Sequence, residues 1–163
     1  MTLAYVFWHW PAQRDHYEER MQAFHDALGR PGSATFRLDV APFDEPEPPF
    51  EDWYPVADWA DVGRLNDEAV SGARTAPHDA VAHASRKGAG GIYRLIEGEA
   101  ALADVTFAAW TSTRPSATPG AAVWQRQLVL GPAPEYAVLG ASPVDVPDGA
   151  VLTRPRRVAG ASE

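Results

Sequence analysis

At 163 residues, 45% of them hydrophobic and 22% charged, the chain holds one sizeable core and has no room for two comfortable domains. Its formal net charge of −8 argues against a nucleic-acid partner, because phosphate binding draws on a concentrated positive surface. Cysteine is absent, which removes disulfides, thiolate metal sites and cysteine nucleophiles.

Leu3 to Trp10 reads as a strand with two apolar faces, Ala4, Val6, Trp8 and Trp10 against Tyr5, Phe7 and His9, the pattern of a strand covered on both sides. It has no basic lead-in and closes at Pro11, unlike a secretion signal. No apolar run approaches the roughly 20 residues that span a bilayer, so the expectation is a cytoplasmic protein without membrane contact. Asp15 stands where a capping acid belongs, ahead of a helix to about Gly29 whose buried stripe is Tyr17, Met21, Phe24 and Leu28. Gly29 and Pro31 end it. Thr35 to Val40 alternates as a half-buried strand, with Phe36, Leu38 and Val40 on one face. From Phe43 to Asp52, acids interleave with Pro46, Pro48 and Pro49, which predicts an extended acidic loop. A strand resumes over Trp53–Ala57, and Asp58 caps a helix with Val62, Leu65 and Ala69 turned inward.

Thr75-Ala76-Pro77 opens a second short helix through about Arg86. Further strands are predicted at Gly91–Ile96, Val105–Thr111, Arg126–Leu130 and Tyr136–Leu139. From Ser142 the chain turns rich in Pro, Gly and small residues. The reading is therefore one domain over 1–141 and an irregular tail over 142–163, in which Arg154, Arg156 and Arg157 form a flexible surface. Of fourteen cations Lys87 is the only lysine, a bias that points to a GC-rich bacterial genome. It also leaves Schiff-base chemistry a single candidate, beside the flexible-looking Gly88-Ala89-Gly90-Gly91.

The order strand–helix–strand–strand–helix, followed by more strands, is the ferredoxin-like plan. The fold class is α+β, an antiparallel sheet with helices on one face and extra C-terminal strands. Tyr5 to Pro11, Tyr17 and the segment Phe24-His25-Asp26-Ala27-Leu28 are similar to the opening of EthD-like proteins in the dimeric α/β-barrel superfamily. Trp53-Tyr54-Pro55-Val56-Ala57-Asp58 resembles their third strand and the start of their second helix. The likeness covers residues 3–73, and an insertion at about 75–124 departs from it. It implies a homodimer in which each sheet lays its helix-free face on its partner's. It also implies small-molecule chemistry of the kind found in secondary metabolism: cofactor-free oxygenation, cyclisation or isomerisation of an apolar or aromatic metabolite.

Within that frame His25 comes first among catalytic candidates. It sits roughly 60–80° from the centre of its helix stripe, an edge position that reaches a pocket mouth, and it matches the histidine of the EthD-like pattern. The bland reading is a histidine packed at a helix end. His9 lies on the Tyr5/Phe7 face, as acid or base if that face lines a cavity and as a core histidine if it meets the helices. Tyr54 and Tyr5 are candidate hydrogen-bond donors. Phe7, Trp53, Trp110 and His78 are candidate ligand contacts in a chain of six tryptophans. Asp79 and His83 share a helix face as two metal ligands or, more simply, a surface ion pair, and no metal or other cofactor is expected. No phosphate loop, nucleophile elbow, zinc-protease histidine pair or dinucleotide fingerprint occurs. The alternative is a non-catalytic ligand-binding or assembly protein docking through the acidic loop and the tail. Haem held by a histidine is a third reading.

Overall fold

The computed structural model describes residues 1–116 and 119–161; the remaining residues of the expected insertion and tail, 117–118 and 162–163, lie outside the described residues. The first strand is β1 (Leu3–Pro11), followed by helix α1 (Tyr17–Leu28), β2 (Ala34–Arg37) and β3 (Phe50–Val56). Then come α2 (Trp59–Ala69), a short 3-10 turn, α3 (Thr75–Ala84) and β4 (Ser85–Glu97). These four strands lie in the order β4-β1-β3-β2, all antiparallel, which is the ferredoxin-like arrangement. The remaining strands are β5 (Phe107–Thr111), β6 (Ala121–Leu130), β7 (Tyr136–Gly140), β8 (Val151–Thr153) and β9 (Arg156–Gly160). They extend the same sheet to nine strands, β8-β5-β7-β6-β4-β1-β3-β2-β9.

Strands β8 and β9 are on opposite edges of that sheet, yet only Arg154 and Pro155 separate them. The sheet is therefore rolled until its edges nearly meet, and the Arg154 N–H donates to Asp39 Oδ1 across the seam at 2.9 Å. Rolling turns one face inward. Ala4, Val6, Trp8 and Trp10 of β1 join Trp53, Tyr93, Trp110 and Trp124 in one core cluster, each at most 1% exposed. The helix-free face that the resemblance gives to a second copy is thus covered by β5–β7 of the same chain. Period-two alternation marks both faces of β1 as apolar; it carries no information on which segment covers them.

Several local signals act as their chemistry dictates. Gly29 takes the left-handed conformation (φ 62°) that ends α1, donating its N–H to His25 O at 2.8 Å. Asp58 caps α2, accepting from Asp61 N at 2.8 Å. Asp15 does not cap α1: the helix starts beyond His16, itself left-handed (φ 58°) with no side-chain cap, and the His16 ring turns to Glu19 instead.

Three segments differ from the sequence reading. β3 begins at Phe50, so Glu51 and Asp52 belong to a buried strand, while β2 stops at Arg37 instead of Val40, which leaves residues 38–49 as loop. Gly88 to Gly91 are β4 residues paired with β1, and Gly90 and Gly91 pair with β6 as well. Residues 142–161 contain two strands, and Arg156 and Arg157 belong to β9, paired with β2. Short strands like these owe their order to the edges that receive them, which composition does not reveal. No helix among the described residues is long and apolar enough to cross a membrane.

Candidate functional site

In β1 the odd-numbered residues face the helices, and so do the even-numbered residues of β3 that pair with them: Tyr5 opposite Tyr54, Phe7 opposite Asp52, His9 opposite Phe50. In β4 the partners of these residues are Ile92, Gly90 and Gly88. The glycines make room: a Cβ on Gly88 would lie 2.4 Å from Phe7 Cζ, and one on Gly90 would lie 3.0 Å from Phe7 Cδ2. The Phe7 ring therefore lies over bare β4 backbone. Above this floor is a cavity of about 760 Å³ between the sheet and the three helices. Met21, Phe24 and Leu28 of α1 and Leu65 of α2 wall it, and His78 and Val81 come from α3. Trp59, Val70, Leu128 and Leu130, all substantially exposed, stand at its rim with Arg86 and Lys87.

One polar group of high connectivity interrupts this apolar lining. Asp52 is 4% exposed, and its Oδ2 accepts from the Tyr54 hydroxyl at 3.1 Å while Oδ1 accepts from the Thr35 hydroxyl at 2.6 Å. His9 Nε2 sits 3.2 Å from Oδ2, an ion-pair distance with the N–H off the straight hydrogen-bond line. On its other side His9 Nδ1 meets the Tyr17 hydroxyl at 2.5 Å, and that hydroxyl meets Ser85 Oγ at 2.7 Å. Ser85 in turn donates to Val81 O at 2.9 Å. All three bonds of this chain are satisfied together only when Nδ1 carries the proton: it donates to Tyr17, Tyr17 to Ser85, and Ser85 to the carbonyl. Reversing Tyr17 and Ser85 leaves Nδ1 free to accept. The reverse direction gives up the Ser85 bond to Val81 O, so the chain favours a proton on Nδ1.

The electrostatics separate these groups. Burial pushes the Asp52 carboxyl upward, but the adjacent His9, aided by His25 and the Thr35 hydroxyl, outweighs it and holds Asp52 below its ordinary value. Burial, with the Asp52 charge second, pushes Tyr5 up to about 12 and Tyr54 well above an ordinary phenol, so both stay protonated donors.

The expected site residues divide between the two faces. Tyr5, Phe7, His9, Tyr54 and His78 all line the cavity. Trp53 and Trp110 do not: both lie in the barrel interior, packed on each other at 6.0 Å between ring centres. In β3, Trp53 points opposite to Tyr54 because neighbours on a strand alternate. His25 is fully buried, its ring stacked on Tyr54 at 5.4 Å, and it lies behind the cavity floor instead of at the mouth. Burial foremost lowers its pKa, outweighing the nearby Asp52, and keeps it neutral. His78 pairs with Asp79 at 3.1 Å, which takes Asp79 away from His83. Among the described residues no group of three or more His, Cys, Asp or Glu is placed to hold a metal ion.

Asp52, Thr35, Tyr17 and Ser85 were missing from the candidates. The signal for Asp52 was present: Phe50-Glu51-Asp52-Trp53-Tyr54 continues a strand's alternation straight through two acids. The acidic loop itself is fastened down. Phe43 packs edge-on against Trp8 at 5.4 Å, Trp10 Nε1 donates to Glu47 O at 2.8 Å, and Glu45 and Glu47 pair with Lys87 and Arg86.

No known family model matches the chain, and no curated protein does. Among solved structures, one named "Putative Chlorite dismutase" aligns with 97% of this chain and 96% of its own, at 11% identity and a TM-score of 0.46. At that level the likeness assigns no chemistry.

Proposed function

We propose that the protein is a small-molecule enzyme that moves a proton on a flat, apolar or aromatic metabolite held in the cavity between sheet and helices. The reading rests on one observation: a buried ion pair, Asp52 with His9, set in the floor of a mostly apolar cavity of about 760 Å³. Asp52 and His9 form the acid–base unit, and the Tyr17–Ser85 chain passes the proton on from His9 Nδ1. Tyr54 orients the carboxylate, and Tyr5, with no hydrogen-bond partner among the described residues, is the free donor for an oxygen of the ligand. Proton abstraction of this kind would serve a cofactor-free oxygenation, a cyclisation or an isomerisation.

The test uses 5-nitrobenzisoxazole, a flat aromatic whose ring opens when a base removes its carbon-bound proton. Wild type is expected to accelerate the opening, and Asp52→Asn to lose most of that rate with binding of the product retained. Equal rates for the two proteins would leave ligand binding without chemistry as the function. A protein that binds neither probe nor product would remove the cavity from the account.

A further inference from the structure

The polar network does not stop at Asp52. Thr35 has one hydroxyl proton, which it gives to Asp52 Oδ1 at 2.6 Å, so its remaining contact, 2.8 Å from His25 Nε2, must be one it accepts. His25 Nε2 therefore carries a proton aimed at Thr35. His25 Nδ1 lies 2.8 Å from Ser33 Oγ, whose one proton goes either to Nδ1 or to the Arg30 carbonyl, also 2.8 Å away. His25, Thr35, Ser33 and Asp52 are all at most 4% exposed. Buried polar side chains linked in one direction fix one another's rotamers, and a donor removed at one end frees the next group to turn.

From this geometry we propose that His25 is a positioning residue, which acts through Thr35 to hold the Asp52 carboxylate turned toward His9 and the cavity. Two histidines then bracket one carboxylate. His9 meets Oδ2 directly from β1, and His25 reaches Oδ1 through a hydroxyl on β2. The division follows from place: His9 lines the cavity, whereas His25 is sealed behind Tyr54 and touches no ligand space. Without His25 the Thr35 hydroxyl is free to rotate away, and the carboxylate loses its shortest hydrogen bond. The charged and titratable groups around the pair are His9 and Tyr5 from β1, Tyr17 and Asp26 from α1, Tyr54 from β3, and Arg157 from β9. Of these, His9 and Tyr54 also touch the carboxylate.

The inference rests on the proposed proton-transfer role of Asp52, and the experiment separates the two. Three variants are compared with wild type: His25→Phe, which keeps a ring to stack on Tyr54; Thr35→Val, which keeps the shape; and Thr35→Ser, which keeps the hydroxyl. Each is read twice, by 13C-carboxyl NMR titration of Asp52 and by kcat and KM for 5-nitrobenzisoxazole. His25→Phe and Thr35→Val should both raise the Asp52 midpoint and lower kcat by about tenfold at unchanged KM, the size of effect one charge-assisted hydrogen bond carries. Thr35→Ser should restore both readings. An Asp52 titration that stays at the wild-type midpoint in both His25→Phe and Thr35→Val overturns the inference. If wild type does not turn the probe over, the proton-transfer role fails, and the Asp52 midpoint still decides whether His25 positions it. Should His25→Phe fail to fold, the Thr35→Val and Thr35→Ser pair gives the same decision.

Discussion

Glu51 and Asp52 are neighbours in β3, both acidic and both almost completely buried, yet they face opposite sides of the sheet and meet opposite fates. Glu51 points into the barrel. Its two oxygens accept from the indole N–H groups of Trp8 and Trp53 at 2.7 and 2.6 Å, with no ion-pair partner among the described residues. Burial dominates there and pushes its pKa up to about 7, against the lowering effect of both indoles. Asp52 points toward the helices, where His9 and two hydroxyls hold it below its ordinary value in spite of burial. Equal burial thus yields a neutralised acid on one face and a lasting anion on the other. The partners decide which, and the face with the anion is the one that lines the cavity of about 760 Å³.

The largest expected effect tests the outer face. Asp52→Asn should cut turnover of 5-nitrobenzisoxazole by about a hundredfold or more, the usual contribution of a general acid–base group. Glu51→Gln should leave that rate within about threefold of wild type, since the barrel interior does not open to the cavity. Steady-state rates of the two variants check both statements. A loss as large for Glu51→Gln as for Asp52→Asn would break the distinction between the faces.

The inner face is tested by stability. Because the Glu51 pKa is raised on folding, from 4.5 to about 7, its contribution is full below pH 4.5 and is lost as pH rises through 7. The loss amounts to about 3 kcal/mol across that window. His25, lowered by burial, acts with the opposite sign below its ordinary value of 6.5, so wild type alone shows only the sum. Urea unfolding of wild type and Glu51→Gln at pH 5 and pH 8 isolates Glu51. The wild-type loss between the two pH values should exceed that of the variant by about 2.5 kcal/mol.

Smaller effects sharpen the comparison. Tyr54→Phe removes one of the hydrogen bonds to Asp52, and its kcat should fall by about tenfold. Gly88→Ala places a methyl group against the Phe7 ring and pushes that ring into the cavity. A few-fold weaker binding of a neutral aromatic probe is expected, about 1 kcal/mol or less, measured by fluorescence titration. A Gly88→Ala protein that binds as well as wild type would show that the floor need not be flat.

How much of this was legible follows the same division. Periodicity found what local chemistry writes: the two apolar faces of β1, the stripe of α1 from Tyr17 to Leu28, its end at Gly29 and the cap at Asp58. Five cavity residues, Tyr5, Phe7, His9, Tyr54 and His78, were among the candidates because strand alternation or the α3 cluster marked them. Glu51 and Asp52 were hidden by their surroundings. Asp44, Glu45, Glu47 and three prolines run directly into them, and an acid in such company reads as solvated. Only the continued alternation of Phe50, Asp52 and Tyr54 opposes that reading. The covering of the helix-free face was not legible at all. It depends on β5–β7 folding back over β1, a long-range pairing that no window of sequence contains. For the same reason β9 looked like a loose tail: Arg156 and Arg157 are polar, and only the waiting edge of β2 makes them a strand.

The most direct test is a carboxyl 13C NMR titration of Glu51 and Asp52 together in the wild-type protein, from pH 3 to pH 9. The account predicts that Asp52 is ionised throughout the range above its lowered midpoint, while Glu51 stays protonated until about pH 7. Two acids titrating together near their ordinary values, or an Asp52 that is still neutral at pH 6, would contradict it.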